Sequence, residues 1–297
     1  MNIIQRIKKG WQIGKRSLGV VKEYPKLVIL PIISGIATII FMAVLLGGLA
    51  AGEIFLANGG SVGSAAQSVQ NMPDYVMYVV LFFVYLGTTF IATFFNVSLV
   101  FCAGQAFEGK DPSITKGFGM AFTRIGQILV WSIVAAIVGV IIRVVQEESD
   151  LAGNIAAMLF GAAWSIATYF VVPVIAYENP GAFSMFKESA NTFRRRWGST
   201  VGSWAYVGTF AAVFVLVSII IAVVSGALLM PSLGILGILV AVVIAAVGLI
   251  IGTTIKSISK AGLYVYTKSD ELPEQFEGLD VDKPGQNKED EGSGTTS

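Results

Sequence analysis

Few residues in this chain have both the type and the setting for chemistry. The acid–base candidates are four carboxylates, Glu108, Asp111, Glu178 and Glu188, each beside the end of an apolar run. Gathered at one membrane interface, they could serve as general acid and base on a lipid. Their simpler role is charge and capping at helix N-termini. The hydroxyls within the apolar runs, among them Thr88, Thr89, Thr93, Ser98, Ser165, Thr168, Ser218 and Thr253, have no base beside them to make a nucleophile. Histidine is absent and Cys102 is the one cysteine, which leaves no Ser-His-Asp triad, no Cys/His metal site and no disulfide within the chain. A lone cysteine in a span is a small apolar filler. No Walker A sequence occurs, and no carboxylate pair lies at membrane depth to couple transport to protons or sodium. We therefore expect a non-enzymatic protein with no cofactor and no metal.

Cations are the stronger signal. All but Arg143 of the 20 Lys and Arg lie in the N-terminus, in alternate connections and in the C-terminus. Lys187, Arg194, Arg195 and Arg196, with Lys8, Lys9 and Arg16, sit on stretches that carry Trp, Phe or Ile at helical spacing. Such helices suit the headgroup boundary of an anionic leaflet, so these residues are the candidate contacts to anionic phospholipid. The plainer role of the same charges is orientation and anchoring.

The elements that position these charges are long apolar runs. Of 297 residues, 55% are hydrophobic and 13% charged, against roughly 25% charged in a soluble domain. Six spans are expected: about 27–49, within 75–107, about 125–142, within 151–177, about 203–229 and about 233–255. Each must be a helix, since backbone polar groups in lipid are satisfied within the segment. Pro231-Ser232 with Gly234 breaks the long uncharged run into its last two spans. The basic side is the cytoplasmic side, so both termini are expected inside. The first apolar run is too long for a signal peptide and reads as an uncleaved span.

A weak repeat organises the whole. Asp111-Pro112 and Asn179-Pro180 read as N-cap plus first turn of surface helices. Ile114, Phe118, Phe122 and Ile125 form one apolar stripe; Phe183, Phe186, Ala190, Phe193 and Trp197 form a second. Ile3, Ile4, Ile7, Trp11 and Leu18 form a third. The unit is a basic surface helix followed by a helical hairpin, three times over. Residues 1–26 are thus a basic amphipathic helix, 27–269 a six-span membrane domain and 270–297 a disordered acidic tail.

Other features concern packing. Small residues recur at Gly153, Ala157, Gly161 and Ser165, at Gly237, Ala241 and Ala245, and at Gly248 and Gly252. Such stripes let helices approach closely, within the chain's own bundle or against a second copy or another membrane protein. Asn96 is an unusual polar group for a span and reads as interhelical glue. Pro173 should kink the fourth span near its inner end, either opening a cavity or fitting the bundle. Arg143 and Glu147 read as a surface ion pair, and Lys256 and Lys260 as side chains that snorkel to the interface.

The stretches Lys26-Leu-Val-Ile-Leu-Pro-Ile-Ile-Ser-Gly35, Phe122-Thr-Arg-Ile-Gly-Gln-Ile128 with Trp131, Tyr169-Phe-Val-Val-Pro-Val-Ile-Ala-Tyr-Glu-Asn-Pro180 and Phe193-Arg-Arg-Arg-Trp-Gly198 resemble the prokaryotic membrane proteins of domain of unknown function 6159. That resemblance covers about residues 5–268. More distantly, Ala261-Gly-Leu-Tyr-Val-Tyr266 before Pro273 is similar to the membrane domain attached to some glycerophosphodiester phosphodiesterases, whose catalytic domain has no counterpart here. The resemblance implies six spans and brings no reaction, ligand or site residues.

The expectation is an all-α polytopic bundle of a prokaryotic cytoplasmic membrane. It would organise membrane, contact lipid or serve as an accessory subunit, with no nucleic-acid partner. Carriage of a small or lipid-like solute is the alternative.

Overall fold

A computed structural model describes residues 3–56, 73–148, 151–197, 208–269 and 271–277; the side chains of 3–7, 9, 50, 52–56, 148 and 195–197 fall outside that description. Every long element is a helix, and among the described residues there is no strand. The chain is an all-α polytopic membrane bundle. Six of its helical stretches are long and apolar enough to cross a bilayer.

Helix α1 (Ile3–Glu23) leads through a 3-10 turn at Pro25–Val28 into α2 (Ile29–Leu56). The proline opens that turn, and Pro31 stands in the first turn of α2, where a missing N–H costs little. The chain returns along α3 (Asp74–Phe107) to the end where α1 lies. A short surface helix, α4 (Ile114–Thr123), precedes the outward α5 (Ile125–Glu148) and the returning α6 (Leu151–Ala167) and α7 (Val171–Glu178). The third unit is α8 (Ser184–Trp197), α9 (Thr209–Leu233) and α10 (Ile235–Ser269). The expected plan of surface helix plus hairpin is therefore present three times in the order of elements.

Several boundaries differ from the sequence reading. Ser113, not Asp111, caps α4; its side chain accepts from the Lys116 N–H, while Asp111 pairs with Lys26. Asn179 ends α7 in the left-handed conformation at φ 48° instead of starting α8. A short polar side chain tolerates that region, which explains the asparagine as a C-terminal cap. Pro231 lies inside α9, and the turn between the last two spans is made by Gly234 alone, at φ 56°. A Cβ at Gly237 would stand 2.7 Å from the Leu229 carbonyl carbon, so the hairpin closes tightly at its tip.

The fourth span breaks at 168–170, just before Pro173. Pro173 has no N–H to bond the Tyr169 carbonyl, and its ring would clash there in a continuous helix. The break is bridged from α8. The buried Ser189 hydroxyl donates to the Ala167 carbonyl (2.8 Å) and accepts from the Phe170 N–H (3.1 Å). Proline thus shifts two backbone groups out of the ladder, and one serine satisfies both.

The core sits at one end of the bundle. At about 1.5 Å per residue, the 34-residue α3 and 35-residue α10 run some 50 Å, well beyond a hydrocarbon core of about 30 Å. Their C-terminal parts hold the buried positions, including Val97, Leu99, Cys102, Ile255, Ile258 and Tyr264. These pack with Leu27, Ile128, Val174, Ile175 and Met185 into one cluster. We call this the basic end, since α1, α4 and α8 lie there. The sequence reading placed a tail from residue 270. Instead, Leu272 packs on the core and Phe276 is buried against Phe107, its ring 2.9 Å from where a Cβ at Gly262 would lie. The Gln275 amide donates to the Ala106 carbonyl at 2.8 Å. Two apolar side chains and one amide therefore hold the segment to 277 in place. The remainder, 278–297, lies outside the described residues.

Candidate functional site

The surface helices bury part of the apolar stripes expected of them: Leu18, Ile114, Phe118, Phe186 and Phe193 pack on the core, while Trp11, Phe122 and Phe183 are exposed. In α1 the buried line is Gly10, Ile13, Gly14, Ser17, Val20 and Val21. Ser17 Oγ lies 2.8 Å from Ser259 Oγ of α10, and Gly14 admits the Phe210 ring of α9. Trp11 is 41% exposed and meets Phe210 edge-on at 4.7 Å. In α4, Gly117 and Ala121 are buried while Phe122 is exposed, as is Ile125 at the start of α5. In α8, Met185, Ser189, Thr192 and Phe193 are buried, and Phe183 just before it is exposed. Small residues face protein and several large apolar ones face outward, as expected where lipid is the solvent.

The exposed faces carry the cations. Lys8, Lys15 and Lys22 recur at seven-residue spacing on α1, with Trp11 and Gln12 between them, all exposed. On α8, Lys187 and Arg194 are exposed and likewise seven apart. Arg16 is exposed, and its guanidinium donates to the Glu277 carbonyl at 3.3 Å. The side chains of Lys9, Arg195 and Arg196 lie outside the described residues.

The four carboxylates do not form one cluster. Glu108 pairs with Lys110, and Asp111 with Lys26. Glu178 and Glu188 do converge, each 2.6 Å from the Lys268 ammonium. Tyr264 donates to Glu178 and stacks on Tyr177 at 5.7 Å, and Tyr177 donates to the Val100 carbonyl at 2.7 Å. This network ties α7, α8 and α10 to α3. The expected ion pair of Arg143 with Glu147 is present at the opposite end.

The remaining candidates are packing residues. Asn96 accepts from Ser257 at 2.8 Å and so joins α3 to α10 as interhelical glue. Side chains at Gly248 and Gly252 would overlap Ser218 and Val215 of α9, so the GxxxG face is used within the chain. Gly161 faces Ile142 at an ordinary distance, and Gly153 is half-buried.

One feature went unread in the sequence. A cleft of about 1030 Å³ lies between the second and third hairpins, lined by α5, α6, α7, α9 and α10. Its polar groups are Ser165, Thr168, Tyr169, Thr209, Thr253, Lys256 and Lys260. The Lys260 ammonium lies over the Tyr169 ring, 4.5 Å from the centroid. Only the spacing of Lys256 and Lys260, one turn apart, hinted at a shared site.

These features define a six-span membrane protein with a packed, basic end and a cleft opening between hairpins. The chain belongs to the family of unknown function DUF6159, which it matches over residues 75–272. No curated protein and no solved structure matches it.

Proposed function

We propose that this protein is a non-enzymatic, lipid-contacting organiser or accessory subunit of a prokaryotic cytoplasmic membrane, with both termini cytoplasmic. One observation carries the reading: the exposed faces of α1 and α8 hold Lys8, Trp11, Lys15, Lys22, Lys187 and Arg194 at the end of the bundle where the spans leave their apolar zone. Each such cation near an anionic leaflet contributes about 1 kcal/mol. The basic end then faces the cytoplasm, in keeping with the bias of Lys and Arg. The partners are anionic phospholipid headgroups, a second copy or another membrane protein.

The test is lipid selectivity. In vesicles of mixed phosphatidylglycerol and phosphatidylcholine, brominated phosphatidylglycerol should quench Trp11 more strongly than the brominated choline lipid, in a protein whose other tryptophans are replaced. Changing Lys8, Lys15, Lys22, Lys187 and Arg194 to Gln should abolish the difference. Equal quenching by the two lipids in the unmodified charge background would refute the reading.

Carriage of a small or lipid-like solute is a second reading, and the cleft is the observation that favours it. Flux from reconstituted vesicles that vanishes on filling the cleft would move the assignment there.

A further inference from the structure

We propose that the cleft between the second and third hairpins is a binding site for one anionic phospholipid, held by its phosphate at Lys256 and Lys260. The proposal goes beyond the surface contacts above, since it names a discrete site formed by different residues.

Charge is the first argument. Among the residues lining the cleft two are cationic and none is acidic. The third lysine of this part of α10, Lys268, is neutralised by Glu178 and Glu188. Among the described residues neither Lys256 nor Lys260 has an ion pair. The Tyr169 ring face steadies the Lys260 ammonium without cancelling its charge. Thr209 and Ser165 add hydroxyls within the same walls, while those of Thr168 and Thr253 donate to the Trp164 and Ile250 carbonyls. A phosphate diester with glycerol oxygens satisfies both the cations and the Thr209 and Ser165 hydroxyls.

Depth is the second argument. Lys256 stands about 32 Å along α10 from Ile235 at about 1.5 Å per residue, which is the thickness of a hydrocarbon core of about 30 Å. The lysines therefore lie at headgroup level when the Gly234 turn lies at the other surface.

Shape is the third. From the lysines toward the other end the walls turn apolar, with Ala212, Val215, Leu216 and Ile219 of α9. Leu216 and Ile219 are 57% and 40% exposed, so this part of the cleft opens sideways to lipid. Helix α6 packs on α5 and α8, which leaves the gap toward α9 for an acyl chain. A free phosphate would use the lysines and leave this wall empty.

The experiment is native mass spectrometry of delipidated protein titrated with phosphatidylglycerol, phosphatidylcholine or inorganic phosphate. We expect one phosphatidylglycerol retained per chain at low lipid, at least about tenfold tighter than phosphatidylcholine, with inorganic phosphate a poor competitor. Lys256→Gln with Lys260→Gln should weaken that first binding about tenfold or more. Leu216→Trp, which narrows the apolar wall and leaves both charges, should weaken it as well. Lys187→Gln with Arg194→Gln should leave it unchanged, which separates this site from the surface faces. Equal retention of phosphatidylglycerol by the double-lysine variant would overturn the proposal. So would equal affinity for the two lipids, or inorganic phosphate that displaces the lipid stoichiometrically.

Discussion

At the basic end, Val97, Cys102, Ile128, Val174 and Ile258 are fully buried, and serines, tyrosines and an asparagine link the helices around them. At the far end, Ile39 and Val44 of α2 are both 70% exposed, Leu151 of α6 is 79% exposed, and Val223 of α9 is 65% exposed. The same apolar residue types do two jobs. Where α3 and α10 extend past the bilayer thickness they meet α1, α4, α7 and α8 and build a core resembling that of a soluble domain. Where the helices cross the apolar zone, lipid tails replace side chains as neighbours, and lipid is as apolar as leucine. The fold is thus specified at one end, and the rest of each span is free to face lipid.

The difference is open to direct attack by mutation, beginning where the effect is largest. Ile258→Ala should destabilise the protein by about 2–5 kcal/mol by leaving a cavity in the packed end. Ile39→Ala, the same chemistry at the far end, should stay within about 0.5 kcal/mol. Thermal unfolding in mild detergent checks both, and equal losses would break the comparison. The exception within the apolar zone is the α9–α10 hairpin, where Gly248 lies against Ser218. Gly248→Val should force these helices apart at about 1–3 kcal/mol, read as a lower midpoint of unfolding. Ser189→Ala leaves the Phe170 N–H and the Ala167 carbonyl without their partner. It should cost about 1–3 kcal/mol and speed hydrogen exchange at the 168–170 break. Among the polar links the smallest effect belongs to Asn96→Ala, which removes the bond from Ser257 and should cost about 0.6 kcal/mol.

Much of this architecture was legible in the sequence, because absence of charge over about twenty residues has few other meanings. The spans, the three-fold helix-plus-hairpin plan, the Arg143–Glu147 pair and the glue role of Asn96 all followed from residue type and spacing. The inward faces of the surface helices followed only in part: Leu18, Ile114, Phe118, Phe186 and Phe193 of the expected stripes pack on the core, and the rest do not. Periodicity marks Phe122, Phe183 and Trp11 as an apolar side, and in water that side would turn inward. Beside a membrane, lipid takes such side chains as readily as protein does. The inward positions are shared with Gly14, Gly117, Ala121 and Ser189, which allow close approach. The docking of Phe276 was hidden by acidic neighbours that suggest no structure. The cleft depends on how far the second hairpin stands from the third, which no local pattern encodes. Lys256 and Lys260 were visible as two cations, but the placing of the Tyr169 ring against Lys260, in the break before Pro173, was not.

The central claim is that this protein holds anionic lipid at its basic end. The most direct measurement is a lipid census of the protein extracted from its own membrane in polymer-bounded discs, compared with the bulk membrane. The account predicts enrichment of anionic phospholipid around the chain, lost when Lys8, Lys15, Lys22, Lys187, Arg194, Lys256 and Lys260 are neutralised together. A disc composition equal to that of the bulk membrane would contradict it.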